Sequence, residues 1–159
     1  AYTLARTESL ISGNNDNDPG INLGDWYPNP QDKTHDLSIV AFYKLNKKWS
    51  FSSNFVYTTG IPTNYPVAKY EYEDIFIPHF SGSRNQERLI DFHRLDFAAT
   101  YRPRGNDLRE WVFSIYNVYN RKNASSLYFR ESEDNIGQTE AVQVSVFPII
   151  PSVSYNFRF

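Results

Sequence analysis

Apolar and polar residues alternate along strand-length segments of this chain, and this alternation limits its fold more than any other feature. The clearest segment runs from His93 to Tyr101. Its two sets of alternating residues are Leu95, Phe97, Ala99 and Tyr101 against Arg94, Asp96, Ala98 and Thr100. Because successive side chains of a strand point to opposite faces, a period of two gives one apolar and one polar face. No convincing helix is found, so the sequence predicts an all-β fold.

Six segments are predicted to be antiparallel strands: Tyr2–Glu8, His35–Leu45, Trp49–Thr59, His93–Tyr101, Trp111–Tyr119 and a last segment that ends at Phe159. Aromatic residues make up 17% of the chain, which suits strands. In most segments large aromatic residues share one face and small polar residues the other. Apolar residues fall on both faces of Trp111–Tyr119, so the orientation of that segment stays open.

The predicted connections alternate between long and short. The short turns are centred on Asn46 and Gly105, whereas the stretches 12–33, 60–91 and 120–148 are long. The last of these contains two apolar runs, which predict a hairpin within it. Outer-membrane barrels have short periplasmic turns and long extracellular loops, whereas soluble meanders have short hairpins on both sides. The pattern therefore favours the wall of a membrane barrel. Six strands cannot close such a barrel, so further strands are expected outside this sequence.

Composition narrows the possible functions. The net charge is −2, which makes nucleic acid a poor partner. The chain has no Cys, which excludes disulfides and thiolate metal sites. The three His lack metal-ligand spacing, and no nucleophile motif surrounds any Ser. Asn14, Asp16, Asp18 and Asp25 partly match a calcium loop, but Pro19 stands where Gly belongs. We therefore expect no catalytic activity, no cofactor and no metal.

Several segments resemble the C-terminal part of TonB-dependent outer-membrane receptors of the Bacteroidetes type. The segments are Tyr2–Glu8, Trp26–Pro28, Thr34–Leu37, Phe92–Phe97, Val112–Asn123 and Ile149–Phe159. The segment that ends in Asn117-Val118-Tyr119-Asn120 is similar to the family's penultimate-strand signature. The last segment is similar to its final strand, which ends in an aromatic residue. The sequence is less similar to the glycan-importing SusC branch.

The resemblance implies that residues 1–159 are the C-terminal segment of a 22-stranded transmembrane β-barrel in the outer membrane of a Gram-negative bacterium. Outer-membrane lipid, an N-terminal plug domain, the remaining barrel strands, the TonB complex and the barrel-assembly machinery would be its partners. The function implied is energy-coupled uptake of a nutrient such as a siderophore, a vitamin or a glycan.

Three groups of residues are candidates for specific roles. The first group contains loop aromatics that could bind substrate, or could simply pack within the loops: Trp26, Tyr27, Tyr70 and Tyr72. Arg94 and Asp96 share the polar face of their strand, where they could meet the plug or pair within the wall. The third group resembles the signal read by the barrel-assembly machinery, or is an ordinary amphipathic strand: Val153, Tyr155, Phe157 and Phe159.

Two other classes of function stay open on sequence alone. A soluble all-β glycan-binding module would also show alternating strands and surface aromatics. An outer-membrane enzyme is the third possibility. A soluble module would hold its aromatic faces inside a sandwich, whereas a membrane wall would expose them to lipid.

Overall fold

The computed structural model of the protein describes residues 1–15, 17–73, 75–80, 83–104, 108–134 and 137–158. The described residues form β-strands and a three-residue 3-10 turn at Asn22–Gly24, with no α-helix among them. The prediction of an all-β fold is therefore confirmed. Within the same residues, no helix is long and apolar enough to cross a bilayer.

The described residues contain fourteen strands, which fall into one large sheet and four two-stranded sheets. The strands of the large sheet are β1 (Tyr2–Leu4), β4 (His35–Lys44), β5 (Trp49–Thr58), β10 (Phe92–Tyr101), β11 (Arg109–Tyr116) and β14 (Ile150–Phe157). The remaining strands are β2 (Glu8–Ser9), β3 (Tyr27–Pro28), β6 (Pro62–Thr63), β7 (Pro66–Tyr72), β8 (Ile75–Phe80), β9 (Glu87–Arg88), β12 (Ser126–Glu131) and β13 (Thr139–Val144).

The large sheet has the order β1-β4-β5-β10-β11-β14, so each strand lies beside the next large-sheet strand along the chain. The pairs from β4 to β14 are all antiparallel. The turns 45–48 and 102–108 join strands at one end of the sheet, and the connections 5–34, 59–91 and 117–149 join them at the other. The predicted strands and the alternation of long and short connections are therefore confirmed.

The register brings the apolar faces of the strands together. Phe97 lies opposite Ser53 on one side and Ile115 on the other. Residues directly opposite each other in an antiparallel pair share a face. The face of Phe97 therefore includes Trp111, Phe113 and Ile115, which settles the orientation of the fifth predicted strand.

The apolar face is largely exposed. Phe97, Phe113 and Val153 keep 40%, 42% and 62% of their surface, and Tyr27 is the one buried residue among the large aliphatic and aromatic residues of the described part. The accessible surface of the chain is 11607 Å². A folded monomer of this mass exposes about 8,200 Å². The chain therefore presents more total surface than a folded monomer of its mass, and large apolar side chains are among the residues exposed.

Two strands end earlier than their sequence patterns predict. The segment Tyr2–Glu8 leaves the large sheet after Leu4, and Glu8 pairs instead with Pro28 in the small sheet of β2 and β3. The segment Trp111–Tyr119 ends at Tyr116, because Asn117 has a φ of 55°. A strand needs a strongly negative φ, so the backbone turns away at Asn117.

The long connections contain hairpins. The hairpin predicted within 120–148 is confirmed as β12 paired with β13. A second hairpin, β7 with β8, lies in the stretch 60–91, for which the sequence predicts only a long loop. Pro66 and Pro78 argued against strands in this stretch, because proline lacks the backbone N–H that a strand residue donates to its partner. A two-stranded hairpin tolerates Pro78 because each of its strands has one edge free of pairing.

The chain divides into two compact units. The sheet unit contains Ala1–Tyr2, Asp36–Thr58 and Phe92–Phe159, and the loop unit contains Thr3–His35 and Thr59–Asp91. The loop unit therefore joins two connections that are far apart in sequence.

Candidate functional site

The polar face of the sheet holds an ion pair between Arg94 and Asp96. The Arg94 Nε lies 2.9 Å from an Asp96 carboxylate oxygen, and its guanidinium donates to the Tyr116 hydroxyl at 2.6 Å. That guanidinium also stacks over the Tyr116 ring, with Cζ 4.0 Å from the centroid. Asp96 accepts the Asn117 amide at 3.0 Å. Arg94 thus pairs with Asp96 and with Tyr116 of the neighbouring strand on the polar face of the sheet, while a place in a barrel wall and contact with a plug both stay predictions.

A second polar cluster crosses the same face near the short turns. Arg102 lies 3.1 Å from Glu110 and donates to the Ser50 hydroxyl at 3.2 Å. Asn156 donates to Glu110 at 3.1 Å. Between the two clusters is an open depression of about 330 Å³, whose lining includes Ser52, Asn54, Ala98 and Ser114. Small side chains there leave room for water or for another protein segment.

Strand β4 does not follow the division into an apolar and a polar face. Val40 and Phe42 lie on its polar side, where they are 73% and 70% exposed. Ser52 and Asn54 on the neighbouring strand lie directly opposite them. Nothing in the structure explains these two apolar residues.

An aromatic row crosses the apolar face beside the short turns. Its members are Trp49, Tyr101, Trp111 and Tyr155, which lie directly opposite one another on β5, β10, β11 and β14. The ring centroids of Trp49 and Tyr101 are 4.7 Å apart, as are those of Trp111 and Tyr155. Rows of this kind mark the interfaces of membrane barrels. The sequence contained the residues, but only the register shows that they form a row.

A buried carboxylate organises the loop unit. Asp32 is only 2% exposed, and it pairs with Arg88 and accepts the Thr7 amide at 2.6 Å. Arg88 also donates to the Gly60 carbonyl at 2.9 Å. This clamp fastens together the two connections 5–34 and 59–91. Sequence reasoning missed it, because partners 56 positions apart leave no local pattern.

The Asp32 clamp makes the loop unit sensitive to acid. Burial alone would raise the pKa of the Asp32 carboxyl, but hydrogen bonds from Arg88 and Thr7 and the Arg88 charge hold that pKa below its usual range. A lowered pKa in the folded state stabilises the fold above the usual carboxyl pKa. That stabilisation should disappear as the pH falls through the lowered value.

We predict that Asp32→Asn loosens the loop unit at neutral pH. Losing the charge-assisted bonds to Arg88 should cost about 2 kcal/mol, which corresponds to roughly thirtyfold faster amide exchange. Hydrogen exchange of residues 59–91 measures this effect. Asp25→Asn is the control, because Asp25 is exposed. Unchanged exchange in Asp32→Asn at pH 7 would show that the clamp does not hold the unit together.

The predicted substrate-binding aromatics differ in exposure. Trp26, Tyr70 and Tyr72 are 63%, 54% and 61% exposed, and the last two share one face of β7. Tyr27 is the exception. It is 4% exposed, and the Arg84 guanidinium lies over its ring with Cζ 5.7 Å from the centroid. Its ring therefore packs inside the loop unit, which is the alternative role that the sequence left open for these aromatics.

The predicted assembly signal lies on an edge strand. Val153, Tyr155 and Phe157 alternate along β14 and are 62%, 42% and 56% exposed on the apolar face. Phe159 lies outside the described residues. In the segment that partly matches a calcium loop, the Asp18 side chain accepts the amides of Asn14 and Gly20 at 3.4 and 3.0 Å. Asp16 of the same segment also lies outside the described residues.

Asn117 has a structural role that the residue patterns missed. Its side chain is fully buried and donates to the carbonyls of Arg121 and Phe147 at 2.9 and 3.1 Å. It also accepts the Arg121 amide at 3.0 Å. Asn120 then accepts the Ile149 amide at 3.0 Å. The turn after β11 thereby holds the chain that enters β14. The segment was recognised only by resemblance, which gave no role to either Asn.

The chain was compared with known proteins in three ways. No protein-family model, no curated protein and no solved structure matches it. The family resemblance therefore rests on the residues that carry it, and the function has to be argued from the two faces and two ends of the sheet.

Proposed function

We propose that the chain is a wall segment of a TonB-dependent outer-membrane transporter that takes up a nutrient such as a siderophore, a vitamin or a glycan. The apolar face of the sheet contacts lipid, and the polar face borders the lumen. The loop unit contributes to the outer surface, where Trp26, Tyr70 and Tyr72 contact the nutrient. Energy comes from the TonB complex, which acts through parts of the transporter outside this sequence.

The observation that carries the proposal is the exposed apolar face bordered by an aromatic row. Exposing large apolar side chains to water over five paired strands is costly, because each buried side chain contributes about 1.5–3 kcal/mol. Lipid removes this cost. The opposite face carries ion pairs and small polar side chains, which suit a lumen that contains water or a plug.

Connection lengths support the same proposal. Short turns at one end of a sheet and long, structured connections at the other are typical of outer-membrane barrels. A soluble glycan-binding module would need a second layer over the apolar face. The described part of the chain leaves residues such as Phe113 and Val153 exposed on that face. No arrangement of residues in the described part of the chain supports an enzyme.

Orientation in the membrane gives the first test. In the full-length protein, an impermeant thiol reagent applied to intact cells should label Tyr72→Cys and should not label Lys47→Cys. Lys47 is preferred to Asn46, because the Asn46 side chain accepts the amides of Lys48 and Trp49 at 2.8 and 2.9 Å. Lys47→Cys should become reactive once the outer membrane is permeabilised.

Two outcomes would contradict the proposal. Labelling of Lys47→Cys in intact cells would reverse the orientation. Recovery of both variants in the soluble fraction, without detergent, would favour the soluble module. Both chosen residues are exposed, so neither substitution should disturb folding.

A further inference from the structure

The connections between strands of the large sheet differ in charge according to the end at which they join the strands. The turns 45–48 and 102–108 contain four basic residues and one acidic residue, a net charge of +3. The three long connections contain eight basic and fourteen acidic residues, a net charge of −6. The whole chain has a net charge of only −2, so its overall composition does not reveal this difference between the connections.

Four basic side chains lie just beyond the aromatic row. We call them the basic fringe, and they are Lys47, Lys48, Arg104 and Arg109, all exposed. Arg109 lies two residues before Trp111 on β11, so it shares the apolar face. Glu110, the described acid beside it, is already paired with Arg102. The fringe therefore has positive charge available to a ligand.

We propose that the basic fringe binds the phosphate groups of anionic phospholipids in the leaflet beside the short turns. The inference rests on the proposed function, because an aromatic row at a membrane interface brings the next residues to the level of the head groups. Guanidinium and ammonium groups are the usual protein donors to phosphate. The acidic long connections would repel the same lipids, so the charge separation also favours one orientation.

Lipid explains the position of the fringe better than a protein partner does. The fringe continues the apolar face, and Arg109 lies opposite Phe157, a residue that is 56% exposed. The phosphate of a lipid head group would contact the cationic basic fringe, and its acyl chains would contact the adjacent aromatic row. Arg158 provides a contrast, because it lines an open cavity on the polar face with Arg102 and Glu110.

The test measures local lipid preference in the full-length protein. A bimane label is attached to Leu45→Cys, in protein freed of other cysteines, because Leu45 is 53% exposed beside the fringe. The protein is placed in vesicles, and quenching by brominated phosphatidylglycerol is compared with quenching by brominated phosphatidylcholine. We expect phosphatidylglycerol to be preferred. Arg109→Gln, and separately Lys47→Gln with Lys48→Gln, should lower the preference by about fivefold per charge at low salt.

Arg158→Gln is the matched control, because it removes the same charge from the polar face and should leave the preference unchanged. Equal quenching by the two lipids in the unaltered protein would overturn the inference and leave the proposed function standing. No quenching by either lipid would overturn both. Loss of the preference in Arg158→Gln, or its abolition by millimolar inorganic phosphate, would also overturn the inference in favour of a general charge effect or a free-ion site.

Discussion

Replacing Asn117 by leucine should lower the free energy of unfolding by about 3–5 kcal/mol. The Asn117 side chain makes three hydrogen bonds to the backbone of Arg121 and Phe147 in a fully buried position. Leucine would leave those three backbone groups without the Asn117 side chain as their partner, and each group that water cannot reach costs about 1–3 kcal/mol. Leucine would also have to adopt the φ of 55° that Asn tolerates far better.

Two variants separate these causes. Asn117→Gly keeps the left-handed conformation and loses only the hydrogen bonds, so it should cost less than leucine, about 2–3 kcal/mol. Asn120→Gly is the control. Asn120 has a similar φ of 52° but is exposed, so its substitution should cost less than about 1 kcal/mol. Denaturant unfolding in lipid vesicles, followed by tryptophan fluorescence, gives the three values.

The role assigned to this turn would be wrong if Asn117→Leu unfolded within about 1 kcal/mol of the unaltered protein. A confirmed loss would give the penultimate-strand segment a physical explanation. Asn117 directly follows β11. Its backbone amide donates to Asp96 on β10, and its side chain donates to the Phe147 carbonyl just before β14. One residue thereby links three strands of the sheet.

The sequence predicted the large sheet well because its information is local. Each strand shows its period of two within about ten residues, and the short turns fix the pairing of its neighbours. The same reasoning left β11 undecided, since Val112 and Tyr116 add apolar residues to its polar face. Pairing with β10 shows which face of β11 is the apolar one, because Phe113 lies opposite Ala99. The register provides this orientation, and the sequence of β11 alone does not.

The contacts of the loop unit could not be predicted from local patterns, because they join residues that are far apart in the sequence. Asp32 and Arg88 are ordinary charged residues in sequence, and their burial depends on two connections meeting in space. Tyr27 looked like its exposed neighbour Trp26, because adjacent aromatics in a loop give no indication of which one is buried. The aromatic row could be predicted only in part. Its four residues stand out in the sequence, but their alignment across four strands depends on the register of the sheet.

Lysine placed at Phe97 should be far more costly than lysine placed at Ala98, although the two residues are neighbours on β10. Phe97 lies on the apolar face and Ala98 opposite Ser52 and Ser114 on the polar face. A lysine near the bilayer midplane costs about 2–4 kcal/mol, and the cost falls to about 0–1 kcal/mol at the interface. Leu45→Lys, at the short-turn end of the apolar face, should therefore cost little.

The central claim, that the apolar face contacts lipid, is tested most directly by the unfolding free energies of these three variants in bilayers. The account predicts a loss of about 2–4 kcal/mol for Phe97→Lys and of less than about 1 kcal/mol for both Leu45→Lys and Ala98→Lys. A buried core in a soluble sandwich would show no such decline toward the end of the sheet. Equal losses for Phe97→Lys and Ala98→Lys would contradict the claim.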